Sequence, residues 1–540
     1  MANDDRLIKV PLNRNTGGLD LRSNEADQSL NSALDLDGVM LSQKGSILNF
    51  PGRAEKITTG LGGRSVKYQT IFLNDSVNPA KEVPILYVDN GTTAEWFKAD
   101  FDVGIVTSLG TVTAGGVVNA VQFKNDLIIT SSAHVPKVSA NLGALANLAG
   151  YPPNYGTPYN AAIDLTEWSD DPANFSVPTQ PDKCEAHVNR TWIADRKLLM
   201  GSVLHKDNTW TSTATSVLRH WYANINPSDG LGDFVQIKRW NDYLSIFKQK
   251  GIYLLEGTHP RGVSGNNPFN VIRTPATVGL AGPQALDRVL NDIVFVDNNG
   301  YAKLLSNTIL KPDAIEADIG ERVQPVFDKI PKDKLKDAWV RTFPRLNQVW
   351  FGFENGTGAV AGQKNAVAIW DYRVNNWTKA ENIILPASIV VVNNKLYTGT
   401  YDGKIHQQIS GNTHGLTQRY SKYVFSWLYA NGYRFSIPRI ELWFSGVTEG
   451  TLFVEVTFQD RKGQYYPIKF TSQDAALFDV SKFDESYFGS GTGRTLIKKT
   501  IFPSGSGFRA QIKLYSEKEG FAWEYVDGLA YLFPLGHHQV

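Results

Sequence analysis

The sequence predicts an all-β protein: a β-propeller followed by a C-terminal β-sandwich, with an extended N-terminal arm. Three observations point that way. Short β-rich runs meet tight turns again and again between residues 56 and 415. After residue 416 the runs lengthen and alternate apolar and polar residues with a period of two. The composition suits sheets with short connections: 47 glycines and 11% aromatic residues, including 13 tryptophans. At 540 residues the chain exceeds one ordinary core, and 42% hydrophobic with 20% charged residues is a folding composition.

Residues 1–55 are polar and turn-rich, with short apolar pieces such as Leu7-Ile8-Lys9-Val10 and Val39-Met40-Leu41. They are expected to form a terminal arm with a few first strands, either frayed or ordered against a neighbour. In the next 360 residues each unit is a hairpin. Ile85–Val88 meets Asp89-Asn90-Gly91 and then Ala94–Phe97, and Leu127–Thr130 follows Lys124-Asn125-Asp126. Tyr243–Phe247 returns through Lys248–Gly251 into Ile252–Leu255, and Ile293–Val296 through Asp297–Gly300 into Tyr301–Leu304. Leu396–Thr400 meets Asp402-Gly403 and then Lys404–His406. Asn-Gly and Asp-Gly favour primed hairpin turns, because both central residues tolerate positive φ. Spacings of tens of residues fit divergent propeller blades. Trp370-Asp371 stands without repeated partners, so a WD-type array is not expected.

Residues 137–182, rich in Pro, Asn and Ala, read as an insertion. Asp313–Ile319 and Pro331–Trp339 read as short helical connectors. From 416 to 540 the strands expected are Arg439–Phe444, Thr451–Phe458, Tyr465–Phe470, Phe508–Leu514 and Phe521–Val526, with 488–507 a long loop.

Charge excludes several partners. Lys+Arg is 54 and Asp+Glu is 53, so no global field draws the protein to nucleic acid or an acidic membrane. Local basic clusters are Lys238-Arg239, Lys248-Gln249-Lys250 and Lys498-Lys499, expected to be solvated unless a ring repeats them around an axis. The single cysteine, Cys184, rules out an internal disulfide, and no run reaches the ~18 apolar residues of a spanning helix. With no apolar signal core at the N-terminus, synthesis in a reducing cytoplasm is expected.

No catalytic constellation is legible. Gly60-Leu61-Gly62-Gly63-Arg64-Ser65 imitates a phosphate loop but puts Arg64 where the lysine belongs. The glycine clusters at 356–362 and 489–493 read as loops. Cys184 with His187 lacks a third orienting group, and a half-buried thiol at a strand end is expected. Asp35-Leu36-Asp37-Gly38 lacks the later calcium ligands and reads as a turn. The nine histidines are scattered, with His537-His538 at the extreme C-terminus. Lys206-Asp207-Asn208-Thr209-Trp210 is a single poor imitation of a sialidase box. Trp192, Trp210, Trp240, Trp350, Trp370 and Trp377 are expected to pack in blade cores rather than stack on sugars. No catalytic, cofactor-binding or metal-ligating residue is therefore expected.

Three stretches, in order, resemble the tail nozzle or hub proteins of short-tailed bacteriophages, including the packaged-DNA stabilisation and tail tubular protein B types. The first runs from Gly17-Gly18-Leu19-Asp20 through Ser32–Asp35 and Gln43–Ser46 to Phe50-Pro51-Gly52. The second is His187–Ala194, then Asp229–Asp233, Tyr243–Lys248 and Gly251–Gly257. The third is Ala368–Tyr372 with Asn376-Trp377, ahead of the terminal sandwich. The resemblance implies a non-enzymatic virion protein without cofactor, a homo-oligomer, hexameric in the family. It would sit below the portal and adaptor ring beside tail fibres or tailspikes. Its tube would retain packaged double-stranded DNA and conduct it at infection. The alternative expectation is a glycan-binding or glycan-degrading propeller of a phage tail.

Overall fold

Period-two burial builds the sheets. In Gly450–Phe458, Leu452, Val454, Val456 and Phe458 are buried while Thr451, Phe453, Glu455 and Thr457 are half-exposed. A computed structural model describes the chain apart from residues 1–6, 13–17, 22–31, 42–45, 78, 152–178, 207–208, 211–220, 226–228, 260–266, 312–317, 357–362, 382–385, 411–417, 431, 460, 472–495, 519–520 and 537–540.

The protein is all-β with a β-propeller. Six free-standing antiparallel sheets follow one another at 65–113, 118–147, 183–224, 234–273, 286–304 and 388–408. Between the last two lies a further four-stranded unit, 339–381, whose outer strand continues into a larger sheet. We number these units blades 1 to 7 in chain order, so that 339–381 is blade 6. Blade 5 has three strands and the others four. The inner strand of blade 7, Ser388–Val392, packs against that of blade 1, Ser65–Asn74, so the ring closes. The fourth strand of blade 7 is Arg53–Ile57, supplied by the N-terminal side of the chain.

Tryptophans fill the blades where glycine makes room. Trp339 lies opposite Gly352, and a Cβ on that glycine would meet the indole at 2.1 Å. Trp192 packs edge-on to Trp221 and Phe269, each such pair adding about 0.5–1.5 kcal/mol beyond burial. Trp192, Trp210, Trp350, Trp370 and Trp377 are buried and Trp240 partly so, in agreement with the packing expectation.

The five expected hairpins all form, but not through primed turns at their glycines. Gly91, Gly300 and Gly403 have positive φ in longer turns, and their preceding Asn or Asp does not. Two-residue hairpin turns with positive φ at both central residues occur instead at Val188-Asn189 and Asn393-Asn394.

The remaining strands form two sheets. The outer strand of blade 6, Asn376–Glu381, meets Ser32–Asp37. The sheet then continues through Gln418–Phe425, Arg509–Lys518 and Gly450–Phe458 to Gln464–Phe470, eleven strands in all among the described residues. A seven-stranded sheet centres on Arg434–Ser445 and Glu524–Gly536. Ile8–Pro11, Val39–Leu41 and Ile47–Asn49 complete it from the N-terminal side. The two sheets meet through rings, Phe435 with Phe458 and Phe444 with Phe470, at 6.5 and 5.4 Å between centroids.

Several expectations change here. The described strands of residues 1–55 are paired within the chain, not extended as an arm, because Glu524–Gly536 and Gln418–Phe425 offer them open edges. The propeller takes its closing strand from before residue 56. Residues 137–147, the start of the expected insertion, belong to blade 2, within and between its strands His134–Ala140 and Ala146–Asn147, whereas 152–178 lie outside the described residues. Pro331–Trp339 holds only a short 3-10 turn at Leu335–Asp337 before a strand begins. Of Asp313–Ile319 only the last two residues are described, and the short helix is instead Leu305–Leu310. The expected loop 488–507 carries strands at Ile497–Ile501 and Ser506–Gly507.

Candidate functional site

The inner strands of blades 1 to 6 contribute polar side chains, and that of blade 7 contributes Val390 and Val391, to one axial cavity of about 730 Å³. These strands read SVKYQTIFLN, VNAVQF, KCEAH, FVQIKRW, LDRV, WVRTF and SIVVV. All carry polar residues, the last only Ser388, where a fully apolar strand would serve packing better, and that was the available sequence signal.

A hydrogen-bonded belt ties neighbouring blades around the cavity. Tyr68 Oη donates to Asn119 Oδ1 at 3.1 Å, and Asn119 Nδ2 donates to the Cys184 carbonyl at 3.0 Å and to Gln236 Oε1 at 3.3 Å. Gln236 Nε2 donates to the Pro283 carbonyl at 3.0 Å. Gln69 Nε2 donates to Ser388 Oγ at 2.9 Å across the closing seam. Blade 2 is thereby tied to blades 1, 3 and 4, blade 4 to the segment that leads into blade 5, and blade 7 to blade 1.

Six charged residues line the cavity: Glu82, Glu185, Asp287, Lys238, Arg288 and Arg341. Each carboxylate is engaged. Glu185 lies 3.2 Å from Lys238 Nζ and holds that ammonium above the ordinary lysine range, against the cost of burial. Asp287 accepts from the Thr342 amide at 2.8 Å, and Glu82 from the Asn393 amide at 2.6 Å. Burial pushes the Tyr68 phenol up, and the Arg341 charge acts against that rise.

The residues singled out in the sequence do not converge here. Arg64 donates to Glu95 at 2.8 Å and to the Leu61 carbonyl, which occupies it inside blade 1. Cys184 is buried, not half-buried, and burial pushes its thiol up to about 12, so the pair with His187 holds no thiolate at neutral pH. His187 lies at the hairpin end of the same strand, beside a second cleft of about 450 Å³, and burial with Arg239 nearby lowers it to about 4. Asp35-Leu36-Asp37 is strand, not turn. Asp35 pairs with Lys379 at 3.2 Å and Lys422 at 2.5 Å, while Asp37 accepts from the Glu381 amide at 3.0 Å. Lys248, expected in solvent, is buried against Asp229 at 2.5 Å, the Ile225 carbonyl at 3.1 Å and the Tyr253 ring. Lys498 pairs with Glu441 at 2.9 Å. Residues 207–208, 489–493 and His537-His538 lie outside the described residues, and so does 357–362 of the cluster 356–362. No group of three His, Cys, Asp or Glu residues with metal-site geometry occurs among the described residues, and no described helix is long and apolar enough to cross a membrane.

No family model and no curated protein matches the sequence. Among solved structures the chain is similar to the Pan2 WD40 domain of Neurospora crassa, at 10% identity over 68% of this chain and 98% of that one, with a TM-score of 0.34. It is similar to the C-terminal WD40 domain of Sif2, at 9% identity over 67% and 99%, TM-score 0.33. It is also similar to BamB from Moraxella catarrhalis, at 11% identity over 76% and 99%, TM-score 0.34. At this distance the likeness concerns the propeller fold alone, which stands on the strand order described above.

Proposed function

We propose that this chain is a structural component of a short phage tail, a nozzle or hub subunit forming a homo-oligomeric, hexameric tube that retains and conducts DNA. In this reading the two facing sheets are a C-terminal β-sandwich, and the protein is no enzyme and needs no cofactor. Its neighbours are the adaptor ring and tail fibres or tailspikes, and its place is the virion. The observation that carries the reading is the one-piece construction. A closed ring of blades runs through blade 6 into the same sheet as Ser32–Asp37 and the C-terminal strands. A propeller closed this way leaves short edges and makes a stiff wall element. The ordered sequence resemblance supplies the tail assignment. A glycan-degrading role would need two convergent free carboxylates, and those of the axial cavity are all engaged.

Electron microscopy and native mass measurement of the full-length protein, alone and with an adaptor ring, test the proposal. Rings of a fixed number of 59.8 kDa subunits are expected. Persistent monomers that join no tail component, or turnover of a polysaccharide, would overturn it.

A further inference from the structure

Apolar side chains that cluster in water mark a surface to be covered, and two such clusters occur among the described residues. The first is at one end of the C-terminal sheets. Tyr429 lies opposite Arg509 there. Phe435 lies between Gly507 and Pro534, so Tyr433, Arg434, Phe508 and Leu535 share that end. The backbone bond from the Gln459 amide to the Arg509 carbonyl, at 3.2 Å, brings Arg461 beside them. Tyr429, Tyr433, Phe508 and Leu535 are 37% to 51% exposed. Arg434 donates to Ser506 Oγ at 3.2 Å, and neither it nor Arg461 forms an ion pair among the described residues.

The second cluster is on blade 1. Its hairpins, Ser65–Asn74 into Lys81–Asp89 and Thr93–Asp100 into Ile105–Thr113, turn at the same end, where Lys81 meets Asp100 at 2.8 Å. Leu73, Val77, Val103 and Ile105, all at that end, are 45% to 67% exposed. Lys81 is taken up by Asp100, whereas Asp75 is exposed and forms no ion pair among the described residues. Asp102 keeps 65% of its side chain exposed, with Lys395 at 3.4 Å.

The two patches complement each other. One offers rings and unanswered guanidinium groups, the composition that interface cores favour, and the other offers aliphatic chains and exposed carboxylates. We infer that they meet between copies of this chain, the aromatic end of the C-terminal sheets of one copy seating on the blade 1 hairpin ends of the next. Because the two surfaces differ, the contact is heterologous. Each copy keeps one of each to pass on, which is how a ring grows and closes. The inference rests on the homo-oligomer reading above and adds the surfaces that make it.

Charge reversal in the full-length protein, read by sedimentation and native mass over a concentration series, tests the pairing. Arg434→Glu with Arg461→Glu should weaken association by about tenfold or more, and so should Asp75→Lys with Asp102→Lys. All four substitutions in one chain should restore it, because the opposite signs face each other again. Thermal unfolding identifies any variant that fails to fold, and Phe508→Ser and Val103→Ser then stand in, each expected to weaken association by about tenfold. A parent that forms rings while every folded variant assembles equally well would overturn this inference and leave the homo-oligomer reading standing. Loss in both pairs without recovery in the fourfold variant would also overturn the pairing. A parent that stays monomeric would overturn both.

Discussion

The blades and the C-terminal sheets are both antiparallel β-structure, yet they are assembled from opposite kinds of contact. Blades 1 to 4 each use one continuous stretch of chain, with every strand paired to its sequence neighbour. The C-terminal sheets draw on both ends of the chain: Ile8 lies opposite Leu532, and Glu524 opposite Leu48. Blade 7 stands between the two types, three strands local and one, Arg53–Ile57, brought from more than three hundred residues away. Local pairing costs little loop entropy and folds early, whereas pairing of the chain ends must wait for the ring between them. The propeller is therefore the scaffold, and the two-sheet region is its consequence.

Removing the N-terminal strands breaks this comparison hardest. Deletion of residues 1–50 takes away the strands at 8–11, 39–41 and 47–49 and the bridge Ser32–Asp37. We expect blades 1 to 4 to persist and residues 418–536 to lose their packing, read as rapid proteolysis confined to the C-terminal region. Intact resistance there would show that the C-terminal sheets stand alone.

The next effect lies inside a blade. Asp229→Ala leaves Lys248 buried without its counter-ion, a loss of about 3–5 kcal/mol. Burial already pulls Lys248 below the ordinary lysine range. Lys404→Ala, which opens the exposed pair with Glu55, should cost about 0–1 kcal/mol. Denaturant titration of both variants checks the contrast.

The two closures also differ in the sign of their pH dependence. His406, in the strand paired with Arg53–Ile57, is held down to about 4 by burial, with Arg53 acting the same way. Its neutral form fits the fold, so its contribution is complete above pH 6.5 and is lost as pH falls through about 4. Asp37, at the junction with blade 6, is raised from 3.8 to about 6 by burial, against the pull of Lys379. Its contribution is present below pH 3.8 and is lost as pH rises through about 6. Each is worth at most about 3 kcal/mol. His406→Gln should flatten the acid limb of the stability profile, and Asp37→Asn the limb between pH 4 and 6.

A further small effect is expected at a turn. Asn394 has φ 57°, and Asn394→Ala should lose about 1 kcal/mol, because a Cβ without a local hydrogen bond disfavours that conformation.

Legibility in the sequence follows the same division. Turn residues within a few positions announced the hairpins at 85–97, 243–255 and 396–406, and all three form. The strand pattern of Arg439–Phe444 and Thr451–Phe458 was equally plain. Nothing in RAEKI at 53–57 says that it closes blade 7, and nothing in SALDLD at 32–37 says that it joins two sheets. Such pairing is decided by which edge is free after the rest has folded. Lys248 looked solvated because its partner, Asp229, lies nineteen residues away. The cavity residues Tyr68, Asn119 and Gln236 were missed for a related reason: each is one polar position in an ordinary strand, and only ring closure brings them within hydrogen-bonding reach.

Native-state hydrogen exchange of the full-length protein tests the stitched architecture most directly. The amides of Arg53–Ile57 are expected to exchange as slowly as those of the inner strand Phe234–Trp240, because both open only with the ring. Exchange of Arg53–Ile57 as fast as that of an unpaired peptide, while the inner strand stays protected, would contradict it.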